Sequence, residues 1–146
     1  MVMALQFLKA QPPGNANVQG MILQIEGKLK PAYDKLVSFK TIEKGYEWFG
    51  DSPAHEALSS MGLMQFSDMA KVSSIVDQKM VSDLQTWLLS RRNETSGLFQ
   101  MNPKALDSFG RAPDNITSAY IVWALTSSGV TNLTNEIAAL MNLADA

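Results

Sequence analysis

Few residues of this sequence are of the types that perform chemistry. His55 is the only histidine, and there is no cysteine, which excludes a cysteine nucleophile, a disulfide and a thiolate zinc site. Asp51, Asp68, Asp107 and Asp114 could be imagined as paired acids for glycoside hydrolysis, but their spacing brings no two together. Capping and loop hydrogen bonds explain isolated aspartates near helix ends, and His55, close to a predicted helix start, is assigned a structural role. We therefore predict no catalytic residue, no metal site, no cofactor and no enzyme activity.

The composition is that of one folded domain over residues 1–146. Hydrophobic residues make up 46% of the chain, and the formal net charge is −2. A disordered chain would be less hydrophobic and more charged, and a nucleic-acid binder would carry an excess of basic residues. No apolar run approaches the roughly 20 residues that span a bilayer, and the first residues do not resemble a signal peptide. We expect neither nucleic acid nor a membrane span among its partners.

Three stretches have the spacing of amphipathic helices. Residues 17–38, 76–90 and 132–144 place apolar side chains three and four positions apart, and the opposite face of the second stretch is polar. Pro31 lies within the first stretch, and we expect it to kink this helix or to split it in two, because proline removes a backbone hydrogen bond.

Three other stretches are more uniformly apolar. Residues 1–8 and 119–125 have almost no polar face, which predicts helices buried on all sides, and residues 57–66 mix apolar with small side chains. Ser52 is a candidate cap for this last helix, and Pro53 suits a first helical turn.

An internal repeat relates the two halves of the chain. Positions 54–66 align with positions 113–125, a shift of 59 residues, and a loop with glycine and aromatic residues precedes both. Helix pairs that repeat bury their apolar faces by stacking on their neighbours. The alternation of apolar and amphipathic stretches therefore predicts an all-α fold. We expect helix-pair repeats of a partial α/α toroid, with about six helices that alternate between inner and outer positions.

Several ordered strings resemble the thioester domain of the alpha-macroglobulins, a domain that the complement proteins share. They cover nearly the whole chain in the family's order: Gly45-Tyr46-Glu47-Trp48-Phe49-Gly50, Pro53-Ala54-His55-Glu56-Ala57-Leu58, Trp87-Leu88-Leu89-Ser90-Arg91-Arg92, Gly97-Leu98-Phe99, Leu106-Asp107-Ser108-Phe109-Gly110 and Ile116-Thr117-Ser118-Ala119-Tyr120-Ile121.

The resemblance implies an α/α toroid and a role in covalent capture. In the family, a cysteine and a glutamine of a Cys-Gly-Glu-Gln motif form an internal thioester, which acylates a protease or a nearby surface after a bait region is cleaved. Because this chain has no cysteine, it can form no thioester, and we expect it to be a fragment of a larger protein. The resemblance further implies an extracellular location, or a periplasmic or envelope-associated one in bacteria.

The resemblance also implies roles for particular residues. In some complement proteins, a histidine near the thioester directs it to hydroxyl groups, and the nearest match here is Asp107, a possible determinant of acceptor selectivity. A carboxylate cannot form the acyl-imidazole of covalent catalysis by histidine, so we expect direct reaction with amines. Tyr46, Trp48 and Phe49 could shield the thioester from water, with ordinary loop packing as the alternative.

Three sequons for N-glycosylation occur, beginning at Asn93, Asn115 and Asn132. Asn93 is the best placed, in a predicted loop beside a helix end. Asn115 opens a helix predicted to be buried, where a glycan would not fit that prediction.

The leading hypothesis is a thioester-domain fragment of an alpha-macroglobulin-like endopeptidase inhibitor or complement-like opsonin. Its partners would be target proteases or surfaces and the other domains of the parent protein. An α/α-toroid enzyme, such as a terpene cyclase or a glycosidase, and a helical-repeat binding scaffold are the alternatives. An incomplete toroid exposes apolar helix faces, so we also expect a homodimer of the isolated chain.

Overall fold

A computed structural model describes residues 1–106 and 112–144. These residues form six α-helices and no β-strand, so the predicted all-α fold class is confirmed. The helices are α1 (Val2–Lys9), α2 (Ala16–Val37), α3 (Glu56–Ala70), α4 (Gln78–Ser90), α5 (Asp114–Ser127) and α6 (Thr134–Ala144).

The helices alternate between two positions. α3 and α5 pack against each other, α4 packs on α3, α6 packs on α5, and α1 pairs with α2. α3 and α5 are therefore inner helices, and α4 and α6 are outer helices, in the toroid-like order that the sequence predicts. An array of this kind places successive inner helices side by side, with their N-terminal ends at one end of the array.

The core is centred on Phe66 of α3. The ring of Tyr33 from α2 meets the Phe66 ring edge-on at a centroid distance of 5.9 Å, and the Tyr46 ring lies 5.4 Å away. The Tyr46 hydroxyl lies 3.2 Å from the sulfur of Met80 in α4. The Tyr33 hydroxyl lies 4.0 Å from the same sulfur. Aromatic and thioether contacts of this kind join three helices and one loop.

The expected interruption of α2 at Pro31 is corrected in one respect, because the helix is not split. It runs for 22 residues and includes Pro31. The side chain of Asn15 caps its start by accepting from the backbone N–H groups of Asn17 and Val18. Proline removes only one hydrogen bond of the helix, and Leu29 and Tyr33, two residues before and after it, are buried on the same face of α2.

The predicted start of α3 is wrong. The helix begins at Glu56, and His55 caps it in place of Ser52. The His55 Nδ1 atom accepts from the backbone N–H of Leu58 at 3.4 Å, and the backbone N–H of His55 donates to the Tyr46 carbonyl at 2.8 Å. The two bonds hold the start of α3 at His55, which confirms the structural role predicted for the histidine.

The predicted burial of α1 and α5 on all sides is also wrong. In α1 only Leu5 is buried, and Phe7 is 67% exposed. In α5, Ile121 and Leu125 are buried, whereas Trp123 is 58% exposed. Each of these helices packs through one side, and no element of the residues described here covers the other, which leaves apolar side chains in contact with water.

Candidate functional site

The two loops that lead into the inner helices have the same backbone construction. We name them the first aromatic loop (residues 39–55) and the second aromatic loop (residues 91–102). The backbone N–H of Tyr46 donates to Ser59 Oγ at 2.8 Å, and that of Phe99 donates to Ser118 Oγ at 3.0 Å. Since Ser59 and Ser118 occupy equivalent positions of the 59-residue repeat, the repeat is one of structure as well as of sequence.

Each aromatic loop closes as a narrow hairpin, the first after α2 and the second after α4. In the first, the Glu47 N–H donates to the Phe39 carbonyl at 3.1 Å; in the second, the Gln100 N–H donates to the Arg91 carbonyl at 2.7 Å. The buried aromatic residue thus follows the turn in both loops, and its ring enters the core while its N–H reaches the serine of the inner helix.

Gly45 is required by the close packing of the first aromatic loop. A β-carbon built at this position would lie 2.5 Å from the Ala54 β-carbon and 2.9 Å from Ser59 Oγ, well inside van der Waals contact. Glycine therefore allows the loop to approach α3 closely enough for the hydrogen bond from Tyr46 to Ser59.

A buried carboxylate joins the second aromatic loop to α3. Glu56 is only 1% exposed, and its Oε1 atom accepts from Arg91 Nε at 3.0 Å. Both carboxylate oxygens accept from the Asn102 N–H, at 3.0 and 3.1 Å. A negative charge in the first turn is favoured by the positive end of the helix dipole, so Glu56 is stabilised from three directions.

The next arginine makes a parallel contact to another helix. Arg92 Nε lies 2.7 Å from Glu136 Oε1 in the first turn of α6. The Nε–H group has no aligned hydrogen-bond acceptor, so the contact is an ion pair without a hydrogen bond. Arg92 Nη2 also donates to the Asn132 carbonyl. Consecutive arginines after α4 therefore fix two different helix starts, through contacts between distant parts of the chain.

Comparison with known protein families identifies the family of this chain. The model of the family described as the A-macroglobulin TED domain matches residues 1–146, the whole chain. The chain belongs to the A-macroglobulin TED family. TED is the thioester domain, so the resemblance read from the sequence is confirmed. No curated protein sequence matches the chain.

The aromatic residues predicted to shield a thioester occupy different environments in this TED chain. Tyr46 is 5% exposed and belongs to the core, whereas Trp48 is 47% and Phe49 74% exposed. Burial and the neighbouring Tyr33 raise the pKa of the Tyr46 phenol above its usual value. Tyr46 is therefore a packing residue, and Trp48 and Phe49 present aromatic surface at the end of the array.

The other predicted positions of the TED chain are Asp107 and the three sequon asparagines. Asp107 is outside the residues that the structure describes. Asn93 is half-buried, and its side-chain oxygen accepts from the Thr95 and Ser96 N–H groups, so it shapes a turn. Asn115 and Asn132 are exposed, and the one-sided burial of α5 removes the conflict expected at Asn115. Glycosylation stays a prediction.

Sequence reasoning did not predict the ion pairs of the array or the burial of Glu47. Glu56 pairs with Arg91, and Glu136 pairs with Arg92, while Glu47 lies in the first aromatic loop with 6% exposure. A glutamate between aromatic residues was the available signal for Glu47. Within residues 1–106 and 112–144, no three His, Asp or Glu side chains are grouped as a metal site would require, and no helix is long and apolar enough to cross a membrane.

Proposed function

We propose that this TED chain forms the helical scaffold of a thioester domain in a larger alpha-macroglobulin-like endopeptidase inhibitor or complement-like opsonin. The match of the family over residues 1–146 carries the proposal. The chain itself performs no covalent step, because it has no cysteine. The thioester domain is a non-catalytic part of macroglobulin and complement proteins, which supports a role without enzyme activity.

The shared end of the two aromatic loops is the part that we propose to face the thioester of the parent protein. The loops lead into α3 and α5, and Glu56 joins them through Arg91 and Asn102. This end is held by buried hydrogen bonds, which supports a rigid surface. The exposed rings of Trp48 and Phe49 are available there to exclude water from a reactive group.

Acceptor selectivity is the finer part of the proposal. We place Asp107 near the thioester and expect the parent to transfer its acyl group directly to amines, with a preference for lysine. The experiment labels the natural full-length protein that contains this chain with methylamine and with glycerol after protease treatment. Methylamine is expected to be incorporated, and Asp107→His is expected to increase glycerol uptake. Efficient glycerol uptake by the natural protein contradicts this selectivity.

A second measurement separates the inhibitor from the opsonin. A protease captured by an inhibitor is expected to lose activity on large protein substrates and to keep activity on a small chromogenic peptide. An opsonin is expected to become covalently attached to a nearby cell surface when a protease is added. Neither protease capture nor surface attachment by the natural protein would contradict both roles.

We further propose an extracellular or envelope location and contacts with other domains of the parent protein, both supported by membership of the family. In isolation the chain is expected to form a homodimer through exposed apolar residues such as Phe7, Trp123 and Met141. Light scattering over a range of concentrations tests this, and a monomer at the highest concentration contradicts it.

A further inference from the structure

A polar cavity of about 460 Å³ lies between the second aromatic loop and the start of α6. The described residues that line it are polar or charged except for one glycine, and they include Arg92, Asn93, Glu94, Asn132 and Thr134. Two of the three sequons, those that begin at Asn93 and Asn132, therefore meet at one cavity. Its volume falls in the range of ligand sites, about 300–1,000 Å³, and its lining offers donors and acceptors to the hydroxyl groups of a sugar.

The sequon at Asn132 presents both of its defining side chains to solvent. Asn132 and Thr134 are exposed, whereas Leu133 between them is only 1% exposed. The Asn132 carbonyl accepts from Arg92 Nη2, so the main chain is held by its neighbours while the side chain lies at the surface. A glycosylated asparagine must lie at the surface of the folded protein, because the added glycan is bulky and polar.

The sequon at Asn93, which the sequence alone favoured, is less accessible. Asn93 is half-buried, and its side-chain oxygen accepts from the N–H groups of Thr95 and Ser96 at 3.0 and 3.2 Å. These bonds fix the side chain in a turn, so its amide nitrogen cannot swing outward unless both bonds break. A glycan at Asn132 would also crowd Asn93, because both residues line the same cavity.

The sequon at Asn115 is accessible at only one of its two ends. Asn115 itself is exposed, but Thr117, which supplies the hydroxyl of this sequon, is only 6% exposed. The Thr117 hydroxyl donates to the Ala112 carbonyl at 3.4 Å. Both the amide and the hydroxyl define the motif, and among the three sequons only the one at Asn132 has both of them exposed.

We propose that Asn132 carries an N-linked glycan and that Asn93 and Asn115 remain unmodified. The co-reactant is a lipid-linked oligosaccharide diphosphate, which a transferase of the secretory pathway uses as its donor. The bond between the anomeric carbon of the first sugar and the diphosphate breaks, and the lipid diphosphate leaves with the bonding electrons. A carbon–nitrogen bond to Asn132 Nδ2 forms, and this nitrogen loses one proton. Glycosylation of Asn132 rests on the extracellular location proposed above, since a secreted protein meets this donor on its way out of the cell.

The test is peptide mapping by mass spectrometry of the natural protein that contains this chain, before and after treatment with an amidase that removes N-linked glycans. The amidase converts a glycosylated asparagine to aspartate, so each occupied sequon is identified by its position. We expect the glycan and the conversion at position 132 and unchanged asparagine at positions 93 and 115. An unmodified Asn132 overturns the proposal, and a glycan at Asn93 or Asn115 overturns the selection of one sequon.

Substitutions in the natural protein, secreted by cultured cells of its source, assign the glycan to the motif. Thr134→Ala removes the hydroxyl of the sequon and is expected to abolish the glycan at Asn132, whereas Thr134→Ser keeps a hydroxyl and is expected to retain it. Asn135→Gln is the matched control, because Asn135 is an exposed asparagine of the same cavity that begins no sequon, and it is expected to leave the glycan unchanged.

If Thr134→Ala is not secreted, Asn132→Gln replaces it, and the mass of the whole glycan is expected to be lost. A glycan that persists at Asn132 in Thr134→Ala, or a total glycan mass unchanged by Asn132→Gln, overturns the proposal.

Failure of this proposal is distinguishable from failure of the proposed function. A protein that is recovered outside the cell with an unmodified Asn132 overturns the glycan alone, because methylamine labelling of the parent's thioester does not depend on it. A protein that is recovered only inside the cell and carries no glycan overturns both the proposed location and the glycan.

Discussion

Arg91 Nε donates a 3.0 Å hydrogen bond to Oε1 of Glu56, and this contact connects the end of α4 to the first turn of α3. The carboxylate is almost completely buried, and the arginine is about one quarter exposed. Since a buried charge is tolerated only when it is paired and hydrogen-bonded, Glu56 depends on this partner and on the Asn102 N–H. The pair thereby fixes the second aromatic loop beside the first.

Arg91→Met is expected to lower the free energy of unfolding by about 2–3 kcal/mol, because a buried carboxylate loses one charged hydrogen bond. Urea denaturation followed by circular dichroism measures the change. Lys71→Met, which removes an exposed surface pair with Asp68, serves as the control and is expected to change stability by less than about 1 kcal/mol. A loss in Arg91→Met no larger than in this control would show that the pair is not required.

The repeated serines are expected to have similar energetic roles. Ser59→Ala and Ser118→Ala each leave a buried backbone N–H, of Tyr46 or Phe99, without its acceptor, at a cost of about 1–3 kcal/mol. Ser60→Ala is a matched control, since Ser60 is equally buried but donates to the carbonyl of Glu56 in its own helix. We expect a loss below about 0.5 kcal/mol for this control. Chemical denaturation of the three variants compares them, and equal losses would contradict the assignment.

Gly45→Ala is expected to destabilise the chain by about 1–3 kcal/mol, the usual cost of inserting a methyl group into a packed site. The clash with Ala54 and Ser59 is the physical reason. Gly20→Ala is the control, because Gly20 lies in α2 with no atom within 4 Å of the added β-carbon. This control is expected to stabilise the helix by about 0.5–1 kcal/mol. Thermal unfolding separates the two, and a gain in stability at position 45 would be inconsistent with the close approach.

Tyr46 is expected to make the chain sensitive to alkaline pH. Its pKa is raised in the folded state by burial and by Tyr33, so above about pH 10 the folded state holds a proton that the unfolded state has lost. This contribution to stability is complete below pH 10 and falls as the pH rises, by up to about 1.4 kcal/mol per pH unit.

The substitution Tyr46→Phe is expected to remove this part of the pH dependence. Urea unfolding at pH 8, 10 and 11 gives the slope for both proteins. Tyr120, whose pKa burial also raises, keeps its contribution in each. The Tyr46→Phe variant at pH 8 controls for the lost contact to Met80. Identical slopes above pH 10 in both proteins would show that the Tyr46 phenol ionises in the folded state as it does in the unfolded one.

Local spacing in the sequence predicted the helices and the repeat well. The three- and four-residue periodicity places apolar side chains on one face of a helix regardless of the neighbours, and the shift of 59 residues aligns Ser59 with Ser118. The same periodicity misjudged α5. Trp123 and Ile121 are both large hydrophobic residues, and their burial differs because of which neighbouring helices pack on each side.

Contacts between distant residues were beyond local reasoning. Ser52 and Pro53 have the types expected at a helix start, but the helix begins only at Glu56, after the His55 N–H has donated to the Tyr46 carbonyl. Glu56 and Arg91 are 35 positions apart, and no periodicity links them. Glu47 lies between aromatic residues in the sequence, but only the folded loop shows that its side chain is buried.

The seam between each aromatic loop and its inner helix has an evolutionary consequence. Because Tyr46 with Ser59 and Phe99 with Ser118 form the same joint, each hairpin of helices enters the array through a self-contained connection. Gene duplication of one such unit can lengthen the array without changing the hydrogen bonds between the existing loops and helices. When the array lengthens by a whole unit, the hydrogen bonds within each earlier unit are kept.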